Sequence, residues 1–236
     1  MTQRTGLTKV GEGRDMDRSS SSEVDAFLSR VKASARTGTG RLIFAMDATM
    51  SRQPSWDTAL HQQSAMFNAV DSVGTLDVQL VYFRGFRECR ASKWVSDTRA
   101  LRRLMEGITV RGGRTQIGKV LSHALKEHGA RPISALVYVG DAMEERVDEL
   151  CERAGQLGLQ RVPCFMFHEG RDVTASSAFK EIARLSNGAY VRLDDAASDR
   201  LAELLAAVAA YSSGGLKALE ARGGRSDRLL LEQLKR

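Results

Sequence analysis

Apolar and polar positions alternate along this chain in blocks of two kinds. Leu42 to Met46 is apolar on both faces and stops at Asp47, the pattern of a buried central strand in a parallel sheet. Further strands are predicted at Leu76 to Phe83, Ile133 to Val139, Arg161 to Phe167 and Ala189 to Leu193. Glu88 to Val95 reads as a short strand whose charges suit a sheet edge, where unpaired backbone needs protection. Between the strands the spacing turns helical. Leu60, Met66, Phe67 and Val70 form one stripe between Pro54 and Gly74, and Asp97 caps a basic helix that runs to Met105. Ile117, Val120, Leu121 and Leu125 form another stripe within Thr115 to His128. Glu144 to Gln156, Ser176 to Ser186 and Ala196 to Tyr211 complete the series. Strands that alternate with helices predict an α/β domain: a three-layer, doubly wound, mostly parallel sheet covered on both faces.

The ends differ from this middle. Residues 1–22 are polar and rich in Gly, Ser and Arg, which predicts a disordered tail. Residues 23–36 read as a flanking amphipathic helix with Val24, Phe27, Leu28 and Val31 on one face. The domain is then placed at 37–210, and 211–236 as a helical tail that docks on the domain or on a partner. No apolar run is long enough to cross a bilayer, and the amino terminus lacks the apolar core of a signal peptide. Cys89, Cys151 and Cys164 are odd in number and without CxxC spacing, so neither a zinc site nor a disulfide framework is expected. A reducing cytoplasm is the expected location.

Charge sharpens the picture only locally. The chain carries a net +6, but residues 84–114 alone hold nine basic side chains against three acidic ones. Charge runs of this kind are usually a solvated face; the functional reading is a docking surface for an acidic partner, built from Arg84, Arg87, Arg111 and Arg114, with Arg52 nearby. It lacks an RNA-binding signature, so a protein ranks above nucleic acid.

The candidate chemistry follows the first strand. Asp47, Thr49 and Ser51 are spaced two apart, so a loop leaving the strand still extended points all three the same way. One carboxylate and two hydroxyls are hard oxygen donors, the set that Mg2+ or Mn2+ prefers. Thr115 follows a glycine pair at the mouth of a helix, and Asp141 ends a second buried strand. This ordered set, on these elements, resembles a von Willebrand factor A domain with its metal-ion-dependent adhesion site. The resemblance covers about Arg41 to Ala210.

It implies strand order 3-2-1-4-5-6 with strand 3 antiparallel. It also implies that Asp47, Thr49, Ser51, Thr115 and Asp141 surround one Mg2+ or Mn2+, whose coordination a partner carboxylate completes. Glu144 and Glu145, after Asp141, would close that position if either reached the ion. The chain is similar to stand-alone bacterial domains of this type, including those of tellurite-resistance and stress operons. Such domains work with ATPases, kinases or chaperones, so an adaptor role is expected rather than an enzyme.

Other readings are weaker. Gly113 to Lys119 matches the spacing G-x-x-x-x-G-K, but Val120 stands where a Ser or Thr should hold Mg2+. His61, His123, His128 and His168 form no HExxH and read as surface or capping residues. A Mg2+-dependent phosphatase using Asp47, and a nucleic-acid binder using the basic stretch, are the two alternatives.

Overall fold

The computed structural model describes residues 40–52, 76–193 and 197–235. The expected amino-terminal tail, the flanking helix at 23–36 and the helix between Pro54 and Gly74 lie outside the described residues.

Six strands form one sheet: β1 (Gly40–Asp47), β2 (Leu76–Arg84), β3 (Glu88–Ala91), β4 (Ala135–Gly140), β5 (Cys164–Glu169) and β6 (Ala189–Leu193). Their order is β3-β2-β1-β4-β5-β6. All neighbours are parallel except β2 and β3, which is the arrangement the resemblance implied. β1 lies at the centre, and all of its residues are buried.

Alternate residues of β1 feed two separate cores, because side chains along a strand face opposite sides. Leu42, Phe44 and Met46 pack with Leu101, Leu204, Val208, Leu219 and Leu230. Ile43 and Ala45 pack with Ile117, Leu121, Leu150 and Phe179 on the other face. The first face is covered by α1 (Thr98–Glu106), α5 (Ala197–Arg222) and α6 (Arg225–Leu234). The second is covered by α2 (Ile117–Ala130), α3 (Val147–Leu159) and α4 (Val173–Leu185).

Most elements shift by a few residues from their predicted bounds, and three of the shifts have a visible cause. β3 stops at Ala91 because the chain bulges: Ser92 pairs with Leu80 and Val95 with Val78, leaving two residues opposite Gln79 alone. The Ser92 hydroxyl accepts from the Leu80 N–H at 3.0 Å, where a backbone carbonyl would otherwise sit. Trp94, freed by the bulge, lies under the buried Arg41 guanidinium at 3.8 Å and donates to Glu127 at 2.9 Å. α3 begins at Val147 rather than Glu144, because both glutamates before it serve another element. α5 continues past Tyr211 to Arg222, with a break at Gly215, whose φ of 66° suits a glycine. The expected tail therefore begins inside this helix. α6 packs on α5 and β6, and Gln233 exchanges two hydrogen bonds with the Tyr190 backbone, at 2.8 and 3.1 Å. No helix among the described residues is long and apolar enough to cross a membrane.

His123 couples this packing to pH. It is half-buried between α2 and β2, with Nε2 2.8 Å from Gln79 Oε1. Burial pushes its pKa below the usual histidine value, with Glu127 raising it and Lys126 lowering it to lesser degrees. The folded state therefore resists protonation more than the unfolded chain does. Stability is complete above the ordinary value of about 6.5 and falls as pH drops below it. Melting temperature is expected to decline between about pH 7 and about pH 5, and His123→Gln to remove its share of that decline, leaving the share of the likewise buried His168, as differential scanning calorimetry would show.

Candidate metal centre

Strand ends build this site. Asp47 is the last residue of β1 and is fully buried. Its Oδ1 accepts from the Thr49 N–H at 2.8 Å, an Asx turn that fixes the carboxylate and reverses the chain. The loop does not stay extended as predicted: it curls into a 3-10 turn at Met50–Arg52, so Ser51 and Arg52 lie on that turn. The curl still brings the Thr49 and Ser51 hydroxyl oxygens to 3.0 Å of each other.

Two further loops join it by hydrogen bonds. The Arg111 N–H donates to the Ala48 carbonyl at 3.0 Å, and Thr49 and Arg111 pair as a single parallel bridge. The Arg114 N–H donates to the Gly85 carbonyl at 3.1 Å, which ties the same loop to the β2–β3 turn. Thr115 is buried and linked twice to Glu144. Its Oγ1 accepts from the Glu144 N–H at 3.0 Å, and its N–H donates to the Glu144 carboxylate at 3.2 Å. Asp141 follows β4 directly, and Met46 pairs with Val139, so β1 and β4 end side by side. The five residues singled out from the sequence thus occupy three loops that meet at one rim of the sheet.

The residues present fit a small hard cation. Oxygens at adjacent corners of a Mg2+ octahedron, with bonds of about 2.1 Å, stand about 3.0 Å apart. The Thr49 and Ser51 hydroxyls, which hydrogen-bond to each other at 3.0 Å, are at a separation compatible with that edge. Asp141 Oδ1 is buried with no hydrogen-bond partner among the described residues, a costly position for an anionic oxygen unless a cation or water meets it. Thr115 Oγ1 accepts one hydrogen bond and, as a hydroxyl, keeps a second lone pair. Among the described residues no three His, Cys, Asp or Glu side chains cluster as metal ligands, so a centre here depends on hydroxyls as well as carboxylates.

The two glutamates after Asp141 are engaged by residues 115–118, Glu144 at the edge of the centre itself through Thr115 and Glu145 beyond it. Glu145 receives the Ile117 and Gly118 N–H groups and so caps α2, a helix whose own N-cap residue, Gln116, makes no side-chain cap bond. Glu144 is held on Thr115. This is why both stay outside α3.

The arginines divide. Arg87, Arg111 and Arg114 are exposed near this rim. Arg84 is turned inward: it forms an ion pair with Glu88 at 3.0 Å and donates to the Thr109 carbonyl and hydroxyl at 2.6 and 2.8 Å. It fastens the turn instead of facing solvent. Its hydrogen bond, with a further one from Arg90, holds the Glu88 carboxyl at about 2, far below the usual range.

Other candidates resolve into structure. Lys119 folds back on its own turn, donating to Gln116 Oε1 at 2.6 Å and to the Arg87 carbonyl at 3.1 Å. Residues 108–110 form no strand, so the context of a phosphate loop is missing. Burial pushes the Cys164 thiol up to about 12 and raises Cys89 and Cys151 as well, so all three favour the unreactive thiol form. His168 is the clear departure from expectation. It is a fully buried residue of β5, not a surface or capping one. Its Nδ1 is 3.0 Å from the Tyr190 hydroxyl, which is 3.0 Å from Ser176. It pairs in register with Gly140, one residue before Asp141, and burial lowers its pKa. Its place after the run CFMF was the only sequence sign that it continues a buried strand.

No family model and no curated protein sequence matches this chain. Solved structures do. The von Willebrand factor type A structure from Catenulispora acidiphila aligns over 75% of this chain at 17% identity and a TM-score of 0.62. The alignment spans 43% of that longer chain. An aerotolerance-related membrane protein from Bacteroides fragilis NCTC 9343 aligns over 70% of this chain and 96% of its own, at 18% identity and a TM-score of 0.56. Proximal thread matrix protein 1 from the mussel byssus, solved with zinc occupying its MIDAS motif, aligns over 73% of this chain and 45% of its own, at 15% identity and a TM-score of 0.57. Strand order, the antiparallel edge and these likenesses agree: the chain has the fold of von Willebrand factor A domains.

Proposed function

We propose that this chain is a non-catalytic binding domain that holds one divalent cation, Mg2+ or Mn2+, at the rim where β1 and β4 end. It takes an acidic side chain from a protein partner there. The observation that carries the reading is the meeting of three loops: Asp47, Thr49 and Ser51 from the first, Thr115 from the second and Asp141 from the third. Asp47 and Asp141 would supply negative charge, and Thr49, Ser51 and Thr115 neutral oxygen. When bound, the cation supplies Lewis acidity that draws a hard anionic oxygen. Asp47 and Asp141 formally balance the cation's charge, while the neutral hydroxyls and water that fill the other positions leave one that a partner's anionic oxygen can take.

The chain's own groups keep the place ordered. Thr49 N–H orients Asp47, Glu144 positions Thr115, and Glu145 is spent on α2. A MIDAS motif carrying zinc in a structure of the same fold supports the reading. An adaptor role in the cytoplasm, alongside an ATPase, kinase or chaperone, is the setting that suits such a domain.

Titrating Mn2+ into the full chain, followed by electron paramagnetic resonance, tests this directly. One Mn2+ per chain should bind saturably, be displaced by Mg2+ and be stripped by EDTA. Absence of a bound population would overturn the reading. Mg2+-dependent turnover of a generic phosphoester would favour a phosphatase instead.

A further inference from the structure

The rim that carries the candidate centre is also where this domain leaves large apolar side chains uncovered. Seven large apolar residues are exposed among those described. Four of them follow the carboxyl ends of strands: Met50, Phe86, Val147 and Val173, exposed 55%, 75%, 39% and 77%. Both cores are closed, and the other three, Leu104, Leu159 and Leu216, sit apart from the strand ends on separate helices. Apolar exposure gathered at one end of a domain marks an interaction surface.

Basic groups share that end. Arg87, Arg111 and Arg114 are exposed and form no ion pair with a described residue, unlike the inward Arg84. Hydrogen bonds hold the two kinds of residue together. The loop bearing Arg111 and Arg114 is bonded to Ala48, two residues before Met50, and to Gly85, the residue before Phe86.

We infer that this rim docks a protein segment in which acidic side chains are interleaved with large apolar ones. One acid is the carboxylate of the function proposed above, on which this inference partly rests. A second acid faces Arg111 and Arg114, and the apolar side chains cover Phe86 and Met50. Charge complementarity selects an acidic occupant, and the apolar exposure adds a demand that charge alone does not make. A nucleic-acid strand fits less well. It needs a series of aromatic platforms along a basic groove, and Phe86 is the one exposed aromatic side chain among the described residues.

The test is selection of randomised peptides displayed on phage against the full chain in Mg2+, with retention then measured on variants. Enriched peptides should pair an acidic residue with a large apolar neighbour. Phe86→Ser should lower their retention about tenfold, and so should Arg111→Glu with Arg114→Glu. These side chains are exposed, and circular dichroism should show the variants folded. The inference is overturned if no peptide is enriched, or if enriched peptides carry acids alone and ignore Phe86→Ser. Displacement of the peptides by a poly-dT oligonucleotide that binds in their place would overturn it as well. If peptides of the expected pattern stay bound in EDTA and on Asp47→Ala but remain sensitive to Phe86→Ser, the inference stands and the metal reading fails.

Discussion

Asp47→Ala is expected to lower Mn2+ affinity about a hundredfold or more. Loss of a mere outer-shell partner typically costs 10–100-fold, and Asp47 is proposed as a direct ligand. Alanine also strips the Thr49 N–H of its acceptor, so loosening of the turn could mimic loss of a ligand. Asp47→Asn separates the two. Its amide oxygen can still accept from Thr49, while the negative charge is gone. The parent chain should gain about 2.7 kcal/mol of stability at a cation concentration a hundred times Kd, through binding to the folded state alone. The Asn variant should gain almost none, yet unfold cooperatively in EDTA. If Asp47→Asn binds Mn2+ as the parent does, Asp47 is a structural residue and the centre lies elsewhere.

Gly113→Ala is expected to damage stability and cation binding together. A Cβ at Gly113 would stand 2.1 Å from the Gly85 carbonyl oxygen and 2.4 Å from its Cα, and backbone atoms cannot rotate away. Overpacking of this kind costs about 1–3 kcal/mol, roughly 2–12 °C in a domain of this size. The only relief is to part the Arg111–Thr115 loop from the β2–β3 turn, which breaks the Arg114 to Gly85 hydrogen bond. Thr115 rides on that loop, so Mn2+ affinity should fall with the melting temperature. Gly112→Ala is the control: nothing lies within 4 Å of its Cβ position, and both readouts should stay near the parent values. A Gly113→Ala chain as stable as the Gly112→Ala chain would mean that the two segments are not held in contact.

How far the sequence revealed this depended on whether a residue's partners were near in the chain. Leu42 to Met46 announced a central strand because burial on both faces leaves no polar position within it. Asp97 announced a helix start because its cap bond reaches only two residues, to Arg99. Asp47, Thr49 and Ser51 could be grouped for the same reason, although the extended path expected of them is in fact a tight curl. Glu144 and Glu145 were misread as the first turn of their own helix. Their partners, Thr115, Ile117 and Gly118, lie 27 to 29 residues earlier, beyond any local rule. His168 was hidden in the same way: its burial is set by Tyr190 and Phe179, contributed by elements that follow it. The inward turn of Arg84 depended on Thr109, which only the assembled rim brings near.

Gln233 has a consequence beyond its own helix. A parallel sheet that ends in an uncovered strand offers its unpaired amides to any passing chain, and β6 is such a terminus. Here one glutamine amide, with a donor and an acceptor on the same planar group, occupies the Tyr190 N–H and C=O as a seventh strand would. The amide thus closes the outer edge of β6 at Tyr190, and a chain cut before Gln233 would leave that pair of backbone groups open to another strand.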